Sequence, residues 1–113
     1  MKYELISKGN YLVFRIDERR LILDLLDPVY KNIIKEIKAY KKNVLVDMTK
    51  VEYVDSFAVG FLMDIFRMLL ESEHKLNIAG VNDKIGTLLK ITRVNNVVKV
   101  FPTFEDAQKE LKI

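Results

Sequence analysis

The sequence contains no cysteine, which excludes a disulfide framework, a thiolate metal site and a thiol nucleophile together. The redox compartment is left open, and a reducing cytosol is compatible. Histidine is almost as scarce: the single copy, His74, sits in Glu71-Ser72-Glu73-His74-Lys75. Glu71 and His74 at i, i+3 make two ligands where a site needs three or four, so no metal is expected, and a cation placed near helix C-terminal carbonyls is the better account of His74. Glycine is sparse and scattered. Gly9, Gly60, Gly80 and Gly86 stand singly, none in a loop that could cradle phosphate, so a nucleotide cofactor has no support and no cofactor is expected. Long hydrophobic runs are missing as well. The most apolar stretch, Phe57 to Leu70, is interrupted by Asp64 and Arg67 and is roughly 14 residues long, against the ~18 to 20 of a bilayer span. The opening residues Met1-Lys2-Tyr3-Glu4-Leu5-Ile6 include an acid and lack the apolar core of an export signal. Neither charge dominates: 19 Lys+Arg face 16 Asp+Glu, a formal excess of +3, which demands no direct contact with nucleic acid.

What is present is a chain of 113 residues, half of them hydrophobic, enough for one domain over residues 1–113 with no linker or repeat to divide it. Tyr3 to Ile6 and Tyr11 to Ile16 read as strands around the Gly9-Asn10 turn. Leu21-Ile22-Leu23 reads as a further β segment. Asp27-Pro28 reads as a helix start, the aspartate accepting from orphan amides and the proline giving up an N–H that has no partner there. Tyr30, Ile33, Ile34, Ile37 and Tyr40 then repeat at helical spacing through Lys42, one buried face. Lys31, Lys35, Lys38 and Lys42 form a neighbouring stripe with no arginine or aromatic among them, a solvated face by this reading. Asn43 to Met48 is a short apolar run suited to a strand buried on both sides. Thr49 to Val54 connects it to a helix from Ser56 to about Ser72. Lys75 to Ala79 is a strand stopped by Gly80, Asn82-Asp83 caps a helix carrying Ile85, Leu88, Leu89 and Ile91, Val97 to Phe101 is a last strand, and Thr103 caps a terminal helix through Leu111. Strands and helices alternate from residue 43 onward, which implies parallel pairing with right-handed crossovers.

The long helix is the informative element. Spaced at 100° per residue, Ser56, Gly60, Asp64, Arg67 and Glu71 share one narrow polar stripe, while Phe57, Phe61, Leu62, Ile65, Phe66, Leu69 and Leu70 are apolar. Asp55 and Ser56 at its start are both good N-cap residues, and in the plainer reading one of them only satisfies backbone amides. Phe57, Met63 and Met68 flank the stripe; they are either partly exposed to a partner or packed against neighbouring helices. A Ser/His/Asp triad on Ser56 would need His74, which lies about 25 Å away at the far end of the same helix. Hydrolase chemistry is not expected, and the chain is read as a non-enzyme.

Val44-Leu45-Val46-Asp47-Met48 followed by Val51-Glu52-Tyr53-Val54-Asp55-Ser56-Phe57-Ala58-Val59-Gly60-Phe61-Leu62 resembles the central segment of STAS domains, above all bacterial anti-sigma factor antagonists, in which a strand of the type V-x-L-D-L leads to an Asp-Ser-[Ser/Thr]-Gly-x-Gly helix start. The resemblance extends through the order of elements along the whole chain. It implies an α/β fold: a mixed, mostly parallel β-sheet with an N-terminal antiparallel strand and about four α-helices packed on it. It also implies a cytoplasmic regulator whose serine after the aspartate, here Ser56, is phosphorylated by an anti-sigma factor with serine-kinase activity and reset by a serine phosphatase. Partner contacts are then expected from Asp24, Asp55, Ser56, Phe57, Gly60, Met63, Asp64 and Arg67. Two departures are plain: Phe57-Ala58 replaces the usual Ser/Thr-Gly, and Asp27 stands where threonine often caps the first helix. The alternative within the resemblance is a scaffold or transport-system subunit in which Ser56 is only a cap. The oligomeric state stays open, a monomer being the simplest expectation.

Overall fold

The structure, a computed structural model, describes residues 1–113. Alternating side chains in Tyr3–Lys8 (β1) and Tyr11–Ile16 (β2) allow an antiparallel hairpin, and Gly9, with φ of 55°, supplies the turn. β2 then pairs in parallel with Asn43–Asp47 (β4), β4 with Leu76–Ala79 (β6), and β6 with Lys99–Phe101 (β7). The sheet order is β1-β2-β4-β6-β7. Period-two alternation sorts residues onto its two faces. Leu12, Phe14, Val44, Val46, Leu76 and Ile78 enter the main core with the helices Tyr30–Tyr40 (α2), Ser56–Glu71 (α3) and Asp83–Ile91 (α4). On the other face Leu45, Ala79 and Phe101 pack under Ala107 of the terminal helix Phe104–Leu111 (α5). The fold class read from the sequence is the one observed.

Both caps assigned beyond the long helix are present: Asn82 accepts from the Ile85 N–H at 2.8 Å and Thr103 from the Asp106 N–H at 3.0 Å. Two early assignments are corrected. The β segment at Leu21-Ile22-Leu23 is limited to Arg20–Leu21 (β3), and Leu23–Leu26 is a single helical turn, α1. Asp27 caps nothing; Asp27–Val29 is a 3₁₀ turn that carries the chain from α1 into α2. The reason lies outside the local sequence. The Leu23 N–H that would have continued a strand is taken by the carboxylate of Asp55 at 2.9 Å, so the chain turns there. The connector after β4 likewise contains a short strand, Tyr53–Val54 (β5), paired in parallel with β3.

One buried polar cluster ties the connector to the sheet. Asp47, 5% exposed, meets Arg15 Nε at 3.0 Å and accepts from the Thr49 N–H at 3.0 Å and its hydroxyl at 2.5 Å. A buried carboxylate is tolerated only when paired in this way. Its consequence is directional: the chain leaving β4 is fixed before it reaches β5 and the start of α3.

Candidate functional site

The start of α3 is built by Asp55. Its backbone is extended, and its carboxylate accepts from the Ala58 N–H through Oδ1 and the Leu23 N–H through Oδ2, both at 2.9 Å. One side chain therefore caps α3 and holds α1 beside it. Ser56 is displaced from the capping role into the first helical position, where it is exposed and its hydroxyl is left free. An anion added there would lie next to first-turn amides and the positive end of a 16-residue helix.

Around Ser56 the polar stripe of α3 forms the floor of a shallow groove. Asp55, Ser56, Phe57, Gly60, Asp64 and Arg67 line it together with Leu23 from α1 and Tyr30 from α2. Six of the eight residues expected at a partner surface are thus brought together. Asp24 is exposed on α1, one residue beyond the groove wall, and Met63 is half-buried against the core. Phe57 and Met68 are also half-buried, so they serve packing and surface at once.

Leu23 and Tyr30 are the groove residues that sequence reasoning missed. Leu23 is 44% exposed at the groove edge and carried no signal, having been read as part of a strand. Tyr53 is 51% exposed with the Arg20 guanidinium 5.6 Å from its ring centre. Tyr30 did leave a trace. A phenol on the apolar face of α2 needs a partner, and Asp64 is the one acid on the polar stripe that could reach it. In the structure the Tyr30 hydroxyl donates to Asp64 Oδ2, and Arg67 donates to the other carboxylate oxygen at 2.6 Å. The Tyr30 ring packs edge-on against Phe57 and Phe61, at 5.3 and 5.0 Å between centres, and so joins α2 to α3 beneath the groove.

Burial, then the hydrogen bond to Asp64 and its charge, push the Tyr30 phenol up to about 12 from 10.0, with Arg67 opposing. The protonated phenol is the form the fold favours, so this contribution is complete below pH 10 and is lost as pH rises through about 12. Phenolate absorbance should show a late-ionising tyrosine that disappears in Tyr30→Phe. Tyr3, held up to about 12 chiefly by its hydrogen bond to Glu36, remains late in that variant and serves as the internal control.

No group of His, Asp or Glu is arranged to hold a metal, and no helix is long and apolar enough to cross a membrane. His74 bonds to Ser72 beyond the other end of α3, so no imidazole faces Ser56. What the groove offers is a free hydroxyl at a helix end, flanked by carboxylates and apolar side chains.

Comparison with known proteins gives a consistent picture. A model of the STAS domain matches residues 3–107. A Thermotoga maritima protein bearing the provisional name anti-sigma factor antagonist is 29% identical over 75 residues, 66% of this chain and 66% of that relative. The anti-sigma-B factor antagonist of Staphylococcus aureus is 30% identical over 59 residues, 52% of this chain and 55% of that protein; the matched stretch thus spans between about half and two thirds of these relatives. The solved structure of an anti-sigma-factor antagonist (STAS) domain protein from Planctomyces limnophilus has a TM-score of 0.86 at 16% identity, with 98% of each chain covered. That last likeness is one of fold.

Proposed function

The chain belongs to the STAS domain family, and from this premise we propose that it is an anti-sigma factor antagonist. In the unmodified form it binds an anti-sigma factor with serine-kinase activity, which frees a sigma factor. Phosphorylation of Ser56 by that partner ends the complex, and a serine phosphatase restores it. ATP and magnesium belong to the kinase; this chain supplies the hydroxyl and the docking groove.

The observation that carries the reading is the division of labour between neighbours. Asp55 takes the cap, so Ser56 is exposed at the helix end and free to enter another protein's active site. Had Ser56 been the cap, its oxygen would be engaged with a backbone amide. The departure at Phe57-Ala58 is compatible with this arrangement, because Ala58 is fully buried and Phe57 packs on Tyr30, away from the hydroxyl. Asp24, Asp55, Phe57, Gly60, Asp64 and Arg67 are the proposed docking contacts, with Met63 supporting them from the flank.

Incubation with the cognate kinase and ATP, followed by intact-mass measurement, should show a gain of one phosphoryl group in the natural protein and none in Ser56→Ala. A Ser56→Ala protein that still accepts phosphate removes the site assignment. An unmodified natural protein in the presence of an active kinase favours the scaffold reading, and genomic neighbours separate the two cheaply: a small ATPase kinase and a sigma factor on one side, transporter subunits on the other.

A further inference from the structure

The pole of the molecule opposite Ser56 carries a second, unassigned surface. Because β4, β6 and β7 run parallel, α2, α3 and α4 each end where the following strand begins, and the registers Tyr11↔Asn43, Val44↔Leu76 and Asn77↔Lys99 bring those ends to one side. The end of α5 joins them against the β1–β2 turn. Lys41, Lys75, Lys90, Arg93 and Lys112 are all exposed there, and none takes part in any of the five ion pairs of the structure. The acids at this pole are Glu71, Glu73 and Glu110, the last already paired with Lys99. The pole is therefore net positive, whereas Asp24, Asp27, Asp55 and Asp83 lie at helix starts on the opposite side.

Complementing helix dipoles explains part of this separation. It does not explain two further features. Lys41, Arg93 and Lys112 occupy left-handed backbone at φ of 53°, 63° and 57°, as does Glu73 at 61°, so three of the four side chains kept where glycine is favoured, at a conformational cost, are cations. And four of the six large hydrophobic residues exposed by this fold, Tyr40, Leu70, Ile91 and Val97, at 40%, 59%, 73% and 51%, protrude among these cations. The other two, Leu23 and Tyr53, are at the Ser56 pole.

We propose that this basic, apolar-tipped pole docks on an anionic lipid surface, leaving Ser56 facing away from the membrane. Charge complementarity selects a polyanion. Leu70, Ile91 and Val97 suit the apolar side of a bilayer headgroup boundary and Tyr40 its interface, whereas a single aromatic among aliphatic side chains offers nucleic acid little to stack on. The 16 residues of α3 hold Ser56 about 24 Å from this pole, so docking and Ser56 chemistry need not compete. The proposal does not depend on phosphorylation.

The test is co-sedimentation of the full chain with vesicles of phosphatidylglycerol and phosphatidylcholine, and with phosphatidylcholine alone. Retention on the anionic vesicles only, released by salt, is expected. Lys41→Gly combined with Arg93→Gly should weaken binding roughly 25-fold, at about five-fold per cation removed, while thermal stability is undiminished because glycine suits both backbones. Ile91→Ser should also weaken binding, with the salt dependence kept. Equal retention on neutral vesicles, no retention on anionic vesicles at low salt, an undiminished Ile91→Ser, or release of the protein from vesicles by duplex DNA or RNA at equal phosphate concentration each overturns the proposal.

Discussion

Protein phosphorylated on Ser56 is expected to bind its anti-sigma partner about 100- to 1,000-fold more weakly than the unmodified protein, with no loss of thermal stability. The two halves of this result come from one geometry. Within the domain, a phosphate of roughly −1.5 to −2 charges would stand at the first turn of α3, where unpaired amides and the helix dipole favour an anion. Within the fold this offsets the repulsion from the neighbouring Asp55 carboxylate, so no net loss of stability is expected. At the interface the same charge must be desolvated beside Asp55, whose carboxylate is already committed to Leu23 and Ala58, with Asp24 exposed one residue beyond the groove-lining Leu23. Arg67, the one cation lining the groove, is paired with Asp64, about 16 Å along the helix from Ser56. With the groove's own cation committed to Asp64, burial of the phosphate beside a carboxylate costs several kcal/mol, and each 1.4 kcal/mol is ten-fold in affinity. Titration calorimetry of the two forms against the partner, beside their melting curves, is the measurement. Equal affinities would remove the switch and keep the fold. Ser56→Asp should reproduce the effect in part, carrying half the charge and fewer acceptor oxygens.

Gly80→Ala should destabilise the fold by about 3 kcal/mol, combining roughly 1–2 kcal/mol for a side chain in left-handed backbone with 1–3 kcal/mol for overpacking. Gly80 has φ of 80°, and a Cβ there would stand 2.5 Å from Thr49 Oγ1 and 3.0 Å from the Thr49 backbone. Thr49 cannot give way cheaply, since its N–H and hydroxyl are both held by Asp47, itself paired with Arg15. The melting temperature should fall by roughly 10 °C in a domain of this size. Gly86→Ala is the contrasting case: in the interior of α4, with Val81 at an ordinary 3.8 Å, it should stabilise by about 0.5–1 kcal/mol. If both variants melt alike, the close approach of Gly80 to the connector is not what fixes it.

These two results probe different levels of the same chain. Gly80 was legible in the sequence only as the stop after a strand; that Thr49 lies against it is a matter of two loops meeting at the C-terminal ends of adjacent parallel strands. The Asp55-Ser56 pair was legible as a helix start, and the choice between them was not. Either side chain can cap by itself. Asp55 prevails because its second carboxylate oxygen reaches the Leu23 N–H, 32 residues earlier, which a serine with one hydroxyl could not do while also capping. The same contact ended the supposed strand at Leu23 and made it a helical turn.

The periodicity of the chain by itself determined the alternation of elements, the buried face of α2, the polar stripe of α3 and the caps at Asn82 and Thr103, because these depend on side chains within a few residues of one another. Tertiary structure alone decided which residue caps α3, how Leu23 and Tyr30 complete the groove, and that the basic ends of several helices share a pole with protruding apolar side chains. Those outcomes are contacts between segments far apart in sequence, and a local pattern carries no record of which distant group will supply the partner.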